Sequence, residues 1–271
     1  DSSYSAIKSG TYNGDVDKQM KKVIEYFETK QAAAEIYVGT DYKDTSISSN
    51  VYKIIRNCQL QGGLAIACGD AGIGKTQACR QYYREHGTNC IYITVNPCIK
   101  SSKSVLELIG SKLNVSSGSV SRLWLEISSK LSDGMVIIVD EAQHLTRNAI
   151  DTLRSLCDSF DENGQTLGVC FVGNETTVSR LGGKQKAEFA QIRNRTKNTR
   201  FYSVKQIKKS DIEMLFPDIR ADAAAVEFLL RIAQSPQAIR GAVNLYSNAL
   251  DNGNVTAKGL SAIAKYMDMA V

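Results

Sequence analysis

Short apolar runs alternate with helical patterns through the middle of the chain. Five such runs predict strands, at Leu64 to Cys68, Cys90 to Val95, Met135 to Asp140, Leu167 to Gly173 and Arg200 to Val204. Helices are predicted between them, near residues 77–86, 102–113, 119–131 and 147–160. Runs such as Val136 to Val139 are apolar at every position, as a strand buried on both faces requires. The alternation predicts an α/β fold, a five-stranded parallel sheet flanked by helices.

The two ends of the chain carry helical patterns only. After a polar first dozen residues, expected to be irregular, apolar residues recur at helical spacing and predict an amphipathic helix over 15–35. Another helix is predicted near 49–60. Beyond Ser210 to Glu213, which matches a capping box, helices are predicted at 222–234, 237–250 and 256–269. These patterns divide the chain into an N-terminal extension (1–48), an α/β core (49–209) and a small helical lid domain (210–271).

Composition narrows the class of protein. With 271 residues, 43% of them apolar, the chain can bury a sizeable core. It has no run of about 18 uncharged apolar residues and no signal-peptide pattern, so we expect a cytoplasmic protein without a membrane partner. Its seven cysteines form no C-x-x-C pair. Four of them lie within apolar patterns and are expected to be reduced core residues: Cys68, Cys79, Cys157 and Cys170.

Basic residues are concentrated in one stretch. The formal net charge is +5, but Lys184 to Lys209 alone holds nine basic residues against one acidic residue, Glu188, a local net charge of +8. Such a run is either a solvated face or a site for phosphates. The phosphates would belong to a nucleotide across a subunit interface or to a nucleic-acid backbone.

A phosphate-binding motif, Gly-Asp-Ala-Gly-Ile-Gly-Lys-Thr, joins the first predicted strand to the helix after it. Glycines let successive N–H groups face one concavity, the lysine reaches the terminal phosphates and the threonine hydroxyl is a ligand for Mg²⁺. A helix N-terminus adds partial positive charge. The predicted nucleotide site comprises Gly69, Asp70, Ala71, Gly72, Ile73, Gly74, Lys75, Thr76 and Gln77.

Acidic and amide side chains follow two neighbouring predicted strands. Asp140 ends the third strand and is expected to hold Mg²⁺ together with Thr76. Glu141 is the candidate base that orients and polarises the attacking water. Asn174 ends the fourth strand, where its amide would hold that water or sense the terminal phosphate. These residues predict a Mg²⁺-dependent ATPase that releases ADP and phosphate.

Three arginines are candidates for contact with the nucleotide. Arg193 and Arg195 precede the last predicted strand, and a planar guanidinium suits a clamp on transition-state charge. Arg240 falls in the first turns of a lid helix, from which it would reach back to the nucleotide.

The order of these parts resembles the AAA+ ATPases, over about residues 45–270. The Asp44-Thr-Ser46 stretch before a helix and the Asp-Glu-Ala-Gln-His-Leu segment resemble the DNA-transposition regulators typified by the Mu phage B protein and the Tn7-type TnsC ATPases. The resemblance implies an ATP-bound homo-oligomer, ring or filament, on duplex DNA that presents the target to a transposase, with hydrolysis driving disassembly. It also implies that Arg193 or Arg195 serves the site of a neighbouring protomer. Unlike in the Mu protein, we expect no separate helix-turn-helix domain within residues 1–48.

The same resemblance places the DNA contacts in two loops, 96–103 and 115–121. The matching residues here are Lys100, Lys103, Ser116, Ser119 and Ser121. Cations, hydroxyls and backbone N–H groups suit phosphate contacts without base reading, although a plain surface loop accounts for the same residues. Two other functions are compatible with the motifs: a replication initiator or helicase loader, and a regulatory P-loop ATPase that does not bind DNA.

Overall fold

Five parallel strands form the centre of the molecule. The structure, a computed structural model, describes residues 2–36, 42–177 and 196–269. The strands are β1 (Gly63–Gly69), β2 (Cys90–Thr94), β3 (Met135–Asp140), β4 (Leu167–Gly173) and β5 (Thr196–Tyr202). They are arranged in the order β2-β3-β4-β1-β5, and every adjacent pair is parallel. The predicted α/β fold is confirmed.

Helices precede the sheet and cover both of its faces. They are α1 (Ser2–Lys8), α2 (Val16–Ile36), α3 (Ser46–Gln61), α4 (Lys75–His86), α5 (Ser102–Lys112), α6 (Val120–Lys130) and α7 (Arg147–Glu162). After β5 come α8 (Lys209–Leu215), α9 (Ala223–Ala233), α10 (Ala238–Asp251) and α11 (Ala257–Tyr266). None of the helices in the described ranges is both long and apolar enough to cross a membrane.

The core consists of two apolar clusters, one on each face of the sheet. Along β3, Val136 and Ile138 belong to the cluster with α3, α4 and the C-terminal helices, whereas Ile137 and Val139 belong to the cluster with α5, α6 and α7. Successive side chains of a strand point to opposite faces. A run that is apolar at every position is therefore what this two-sided burial requires.

Helix α3 packs very closely on the sheet. Thr45 caps its N-terminus by accepting a hydrogen bond from the Ser48 N–H, and Val51, Ile55 and Cys58 are buried. The approach is closest at Gly168 of β4, where an added Cβ would lie 2.5 Å from the Cys58 carbonyl oxygen. Glycine at this position is what allows the helix backbone to contact the strand.

Three of the predicted elements are wrong in position or extent. The last strand is Thr196–Tyr202 instead of 200–204, because it is an edge strand with mostly exposed side chains and no apolar run to mark it. The first dozen residues, expected to be irregular, contain helix α1. Helix α8 begins at Lys209, so the predicted capping box at Ser210 does not form. Instead, the Asp211 carboxylate accepts a hydrogen bond from the Lys208 N–H.

The predicted N-terminal amphipathic helix is confirmed as α2, and its apolar stripe faces solvent. Val16, Met20, Val23, Ile24 and Phe27 are between 39% and 61% exposed. The cysteine prediction is also confirmed, since Cys68, Cys79, Cys157 and Cys170 are buried and carry free thiols. Burial raises the pKa of each of these thiols.

Substitution of Gly168 tests the contact between α3 and the sheet. In Gly168→Ala, the new methyl group meets backbone that cannot rotate away, so we expect a loss of about 1–3 kcal/mol in the free energy of unfolding, measured with urea. Gly118→Ala is the control, because its Cβ meets only the flexible side chain of Arg122. Equal stability of Gly168→Ala and the wild type would contradict the close approach.

Candidate nucleotide site

The motif residues form a tight loop between β1 and α4. Gly72 and Gly74 have φ angles of 75° and 100°, in the left-handed region that favours glycine. Gly74 is the N-cap of α4, with no side chain over the N-terminus of the helix. The Ile73 side chain is fully buried, so only its backbone is available to a ligand. Ala71 and Gln77 are exposed beside the loop. The geometry fits a cradle of N–H groups for phosphates.

Two hydrogen bonds hold this loop to the end of β5 and to the residues just after it. The Asp70 N–H donates to the Tyr202 carbonyl at 2.9 Å, and the Val204 N–H donates to the Asp70 carboxylate at 2.8 Å. A Cβ at Gly69 would lie 2.0 Å from the Tyr202 oxygen, so only glycine fits there. The start of the loop is therefore fixed by the end of β5.

The C-terminal helices hold the loop from the other side. The Arg240 N–H donates to the Gly72 carbonyl at 3.2 Å, at the start of α10. A Cβ at Gly72 would lie 3.2 Å from the Cβ atoms of both Ala238 and Arg240. Ala238 has a φ of 57°, an uncommon value for alanine, at this contact. The structure thus brings Arg240 to the loop, with its side chain exposed.

Lys75 is buried and folds back over the loop. Its Nζ donates to the carbonyl oxygens of Gly69 and Asp70, at 2.9 and 2.5 Å. Burial lowers the pKa of Lys75, and the nearby carboxylates of Asp140 and Glu141 act in the opposite direction. The ammonium group is thus held among polar atoms at the phosphate cradle.

Asp140 and Thr76, the predicted metal ligands, are brought together. Asp140 is 2% exposed, and its carboxylate accepts hydrogen bonds from the Thr76 hydroxyl, the Tyr92 hydroxyl at 3.0 Å and the Glu141 N–H at 2.9 Å. Burial raises the pKa of Asp140, while the hydrogen bonds oppose that shift. A buried carboxylate beside a hydroxyl is suited to a hard divalent cation, which would compensate its charge. Sequence reasoning missed Tyr92, because it depends on the register between β2 and β3.

Gln143 links Glu141 to Asn174. Glu141 is exposed and has a φ of 58°, and its carboxylate accepts a hydrogen bond from the Gln143 amide. The Gln143 Oε1 accepts from the Asn174 N–H at 3.3 Å. A Cβ at Gly173 would lie 2.5 Å from that same oxygen, so the glycine at the end of β4 makes room for the link. Gln143 thus joins the candidate base to the end of β4. The sequence pattern assigned it no role, although it lies within the Asp-Glu-Ala-Gln-His segment.

The Asn174 side chain is engaged locally. Its Oδ1 accepts hydrogen bonds from the Thr176 N–H at 3.0 Å and from the Thr176 hydroxyl at 2.6 Å. Asn174 lies at the same sheet edge as Glu141, as predicted, but here its side chain closes a turn. Arg193 and Arg195 lie outside the described residues.

The two loops assigned to DNA contact lie side by side. The five assigned residues are exposed: Lys100, Lys103, Ser116, Ser119 and Ser121. Ser119 also caps α6 by accepting from the Arg122 N–H at 3.3 Å.

Glu107 connects these loops. It forms an ion pair with Lys103 at 3.9 Å and accepts a hydrogen bond from the Ser117 hydroxyl at 2.6 Å. In addition, the Lys100 carbonyl accepts from the Thr146 N–H at 2.9 Å, which ties the first loop to the segment that follows Glu141. The loops therefore form one surface that is attached to the candidate catalytic segment.

Comparison with known proteins agrees with this geometry. The AAA domain family matches residues 58–181. The ATP-dependent target DNA activator B of Escherichia phage Mu is 29% identical over 268 residues, which cover 94% of this chain and 80% of that protein. The Mu-like prophage FluMu DNA transposition protein B of Haemophilus influenzae is 28% identical over 254 residues, 90% of this chain and 85% of that protein.

Solved structures share the fold at low identity. The Orc1 protein of Aeropyrum pernix, determined in complex with DNA, superimposes with a TM-score of 0.57 at 14% identity, covering 85% of this chain and 67% of its own. At that identity the likeness concerns the fold alone. The AAA domain match covers the phosphate loop, Asp140 and Glu141 and supports ATPase activity. Over most of its length, the chain is similar to the transposition B proteins of phage Mu and of a Mu-like prophage.

Proposed function

We propose that this chain is an ATP-dependent, DNA-binding regulator of transposition that oligomerises on duplex DNA and recruits or activates a transposase at the target. The observation that carries the proposal is the similarity to activator B along 94% of the chain, which includes both the nucleotide site and the two loops. ATP binding favours assembly, and hydrolysis favours disassembly. The chain does not cut or join DNA itself, since that chemistry belongs to the transposase.

The residues of the loop fit ATP and Mg²⁺. Backbone N–H groups of the cradle hold the phosphates, and the Lys75 ammonium turns from the Gly69 and Asp70 carbonyls to the terminal phosphates. Thr76 and Asp140 would hold Mg²⁺, which would neutralise phosphate charge. Arg240, whose backbone is bonded to the loop, contacts the nucleotide from the lid domain, residues 210–271.

Glu141 and Asn174 serve hydrolysis at the edge of the sheet. The Glu141 carboxylate accepts hydrogen bonds from the attacking water and orients it. The Asn174 amide leaves its turn with Thr176 to contact that water or the terminal phosphate. Arg193 or Arg195 of a neighbouring protomer completes the site, so that turnover requires assembly.

The contact between Thr146 and Lys100 supports coupling between the nucleotide and DNA. Thr146 follows the Glu141 segment and caps α7, and its N–H donates to the carbonyl of the loop that carries Lys100. A shift of the Glu141 segment on nucleotide binding would move this loop with it. DNA affinity is therefore expected to depend on the nucleotide.

Glu141→Gln and Lys75→Ala separate binding of ATP from its hydrolysis. Glu141→Gln removes the acceptor that polarises water, so turnover should fall by about 10²–10⁴-fold while ATP is retained and assemblies on DNA persist. Lys75→Ala should bind ATP weakly and fail to assemble. Phosphate release and light scattering measure the two properties. Normal turnover in Glu141→Gln would show that Glu141 does not polarise the attacking water.

Gln143→Met tests the link between Glu141 and Asn174. The substitution keeps the length of the side chain and removes both hydrogen bonds, so we expect kcat to fall about tenfold, the effect of losing one hydrogen bond to a charged group. KM for ATP should stay within about twofold, because Gln143 does not line the phosphate cradle. The exposed Gln165→Met is the control. An unchanged kcat, or a parallel rise in KM, would show that Gln143 does not position the base.

Lys100→Gln/Lys103→Gln tests the DNA loops. Each lost phosphate contact should reduce the slope of log K against log salt by about 0.9, so the double variant should bind duplex DNA with a slope smaller by about 1.8. The measurement is fluorescence anisotropy with a non-hydrolysable ATP analogue. Arg220→Gln/Lys265→Gln, which removes two exposed cations elsewhere, should keep the wild-type slope. Equal slopes in both double variants would assign the contacts to other residues.

A further inference from the structure

A polar cavity of about 450 Å³ lies between α3 and the edge strand β5. On α3, Asn50, Lys53 and Asn57 are three and four residues apart and therefore share one face of the helix. On β5, Asn198 and Arg200 are two residues apart and share one face of the strand. These side chains, with Gln206, give the cavity two cations and four carboxamides, and none of the described residues that line it carries a carboxylate.

The surface around this cavity is strongly basic. Residues 46–61 and 196–209 together hold seven basic residues and no acidic residue. Some of these cations are engaged: the Lys197 ammonium donates to the Gln61 carbonyl, and Lys209 pairs with Glu213 at 3.9 Å. Lys53 and Arg200 make no ion pair with any described residue. The two cations inside the cavity are thus available to an anionic ligand.

This surface is separate from the two loops at the other edge of the sheet. The loop that carries Lys100 and Lys103 follows β2, whereas the cavity adjoins β5, and these are the two edge strands. Four steps of about 4.8 Å between neighbouring strands place the two edges about 19 Å apart. A single phosphate group bound in the cavity therefore cannot also contact Lys100 or Lys103.

The geometry points to a second DNA-binding surface, at which Lys53, Arg200 and the surrounding carboxamides hold the phosphate backbone of duplex DNA. Lysine, arginine and carboxamide side chains are the donors that contact phosphates in protein–DNA interfaces. An acidic peptide added as a strand is the alternative, but charged side chains on an edge strand such as Lys197 and Arg200 disfavour such pairing. The inference rests on the proposed DNA-binding function and adds a site to it.

The surface is also connected to the nucleotide site. Tyr202 lines the cavity, and its carbonyl accepts the hydrogen bond from Asp70 in the phosphate loop. DNA held at Arg200 would therefore restrain the strand that positions the loop. This connection provides a second route by which DNA and nucleotide influence each other.

The test is the salt dependence of duplex binding by Lys53→Gln/Arg200→Gln in the full chain, with a labelled random-sequence duplex and a non-hydrolysable ATP analogue. Loss of two phosphate contacts should reduce the slope of log K against log salt by about 1.8. For a fourfold rise in salt, the affinity of the wild type should then fall about tenfold more than that of the variant. The midpoint of thermal unfolding should be unchanged, because Lys53 and Arg200 are exposed.

Three results would overturn the inference. They differ in whether they also contradict the proposed DNA-binding function. If Lys53→Gln/Arg200→Gln keeps the wild-type slope and Lys100→Gln/Lys103→Gln has a reduced slope, DNA does not bind at the cavity. That result leaves the proposed function intact. Absence of duplex binding by the wild type would contradict both the second DNA-binding surface and the proposed function. A labelled poly-glutamate peptide that binds the wild type but not Lys53→Gln/Arg200→Gln, when duplex affinity is the same in both, assigns the cavity to an acidic peptide.

Discussion

The phosphate loop is held by backbone hydrogen bonds from two directions, and the geometry of the site depends on them. The Tyr202 carbonyl at the end of β5 accepts from the Asp70 N–H, and the Val204 N–H just after β5 donates to the Asp70 carboxylate. From α10, the Arg240 N–H donates to the Gly72 carbonyl. Backbone groups buried away from water need such partners. The end of β5 and the C-terminal helices therefore both contribute to the shape of the loop. A bound nucleotide would in turn stabilise both contacts. The loop thus connects the sheet to the helical lid proposed for residues 210–271.

Sequence patterns were sufficient where the physics is local. The apolar runs of β1, β3 and β4 and the phosphate-binding motif predict the sheet and the cradle, because two-sided burial and left-handed glycines leave a direct mark on the sequence. The pattern fails at Thr196–Tyr202, because this edge strand has mostly exposed side chains and therefore needs no apolar run. It also misses Tyr92 and Gln143, whose partners depend on strand register and on a tertiary contact. Asp211, which accepts hydrogen bonds from Ser46 and Lys208, joins segments far apart in sequence and is missed for the same reason.

The molecule carries basic surfaces at both edges of one sheet, each attached to the nucleotide site by a backbone hydrogen bond. The loop with Lys100 is bonded to Thr146, after the Glu141 segment, and β5 is bonded to Asp70 at the start of the phosphate loop. Under the proposed function, nucleotide state and DNA contact are thus coupled through the sheet edges.

Under the proposed function, nucleotide state controls assembly of this chain on DNA. The most direct measurement is electron microscopy, paired with sedimentation, of the wild-type chain mixed with random-sequence duplex DNA in a non-hydrolysable ATP analogue or in ADP. We expect ordered rings or filaments on the duplex with the ATP analogue and dispersed protein with ADP. Dispersed protein in both nucleotides, or equal assembly in both, would contradict it.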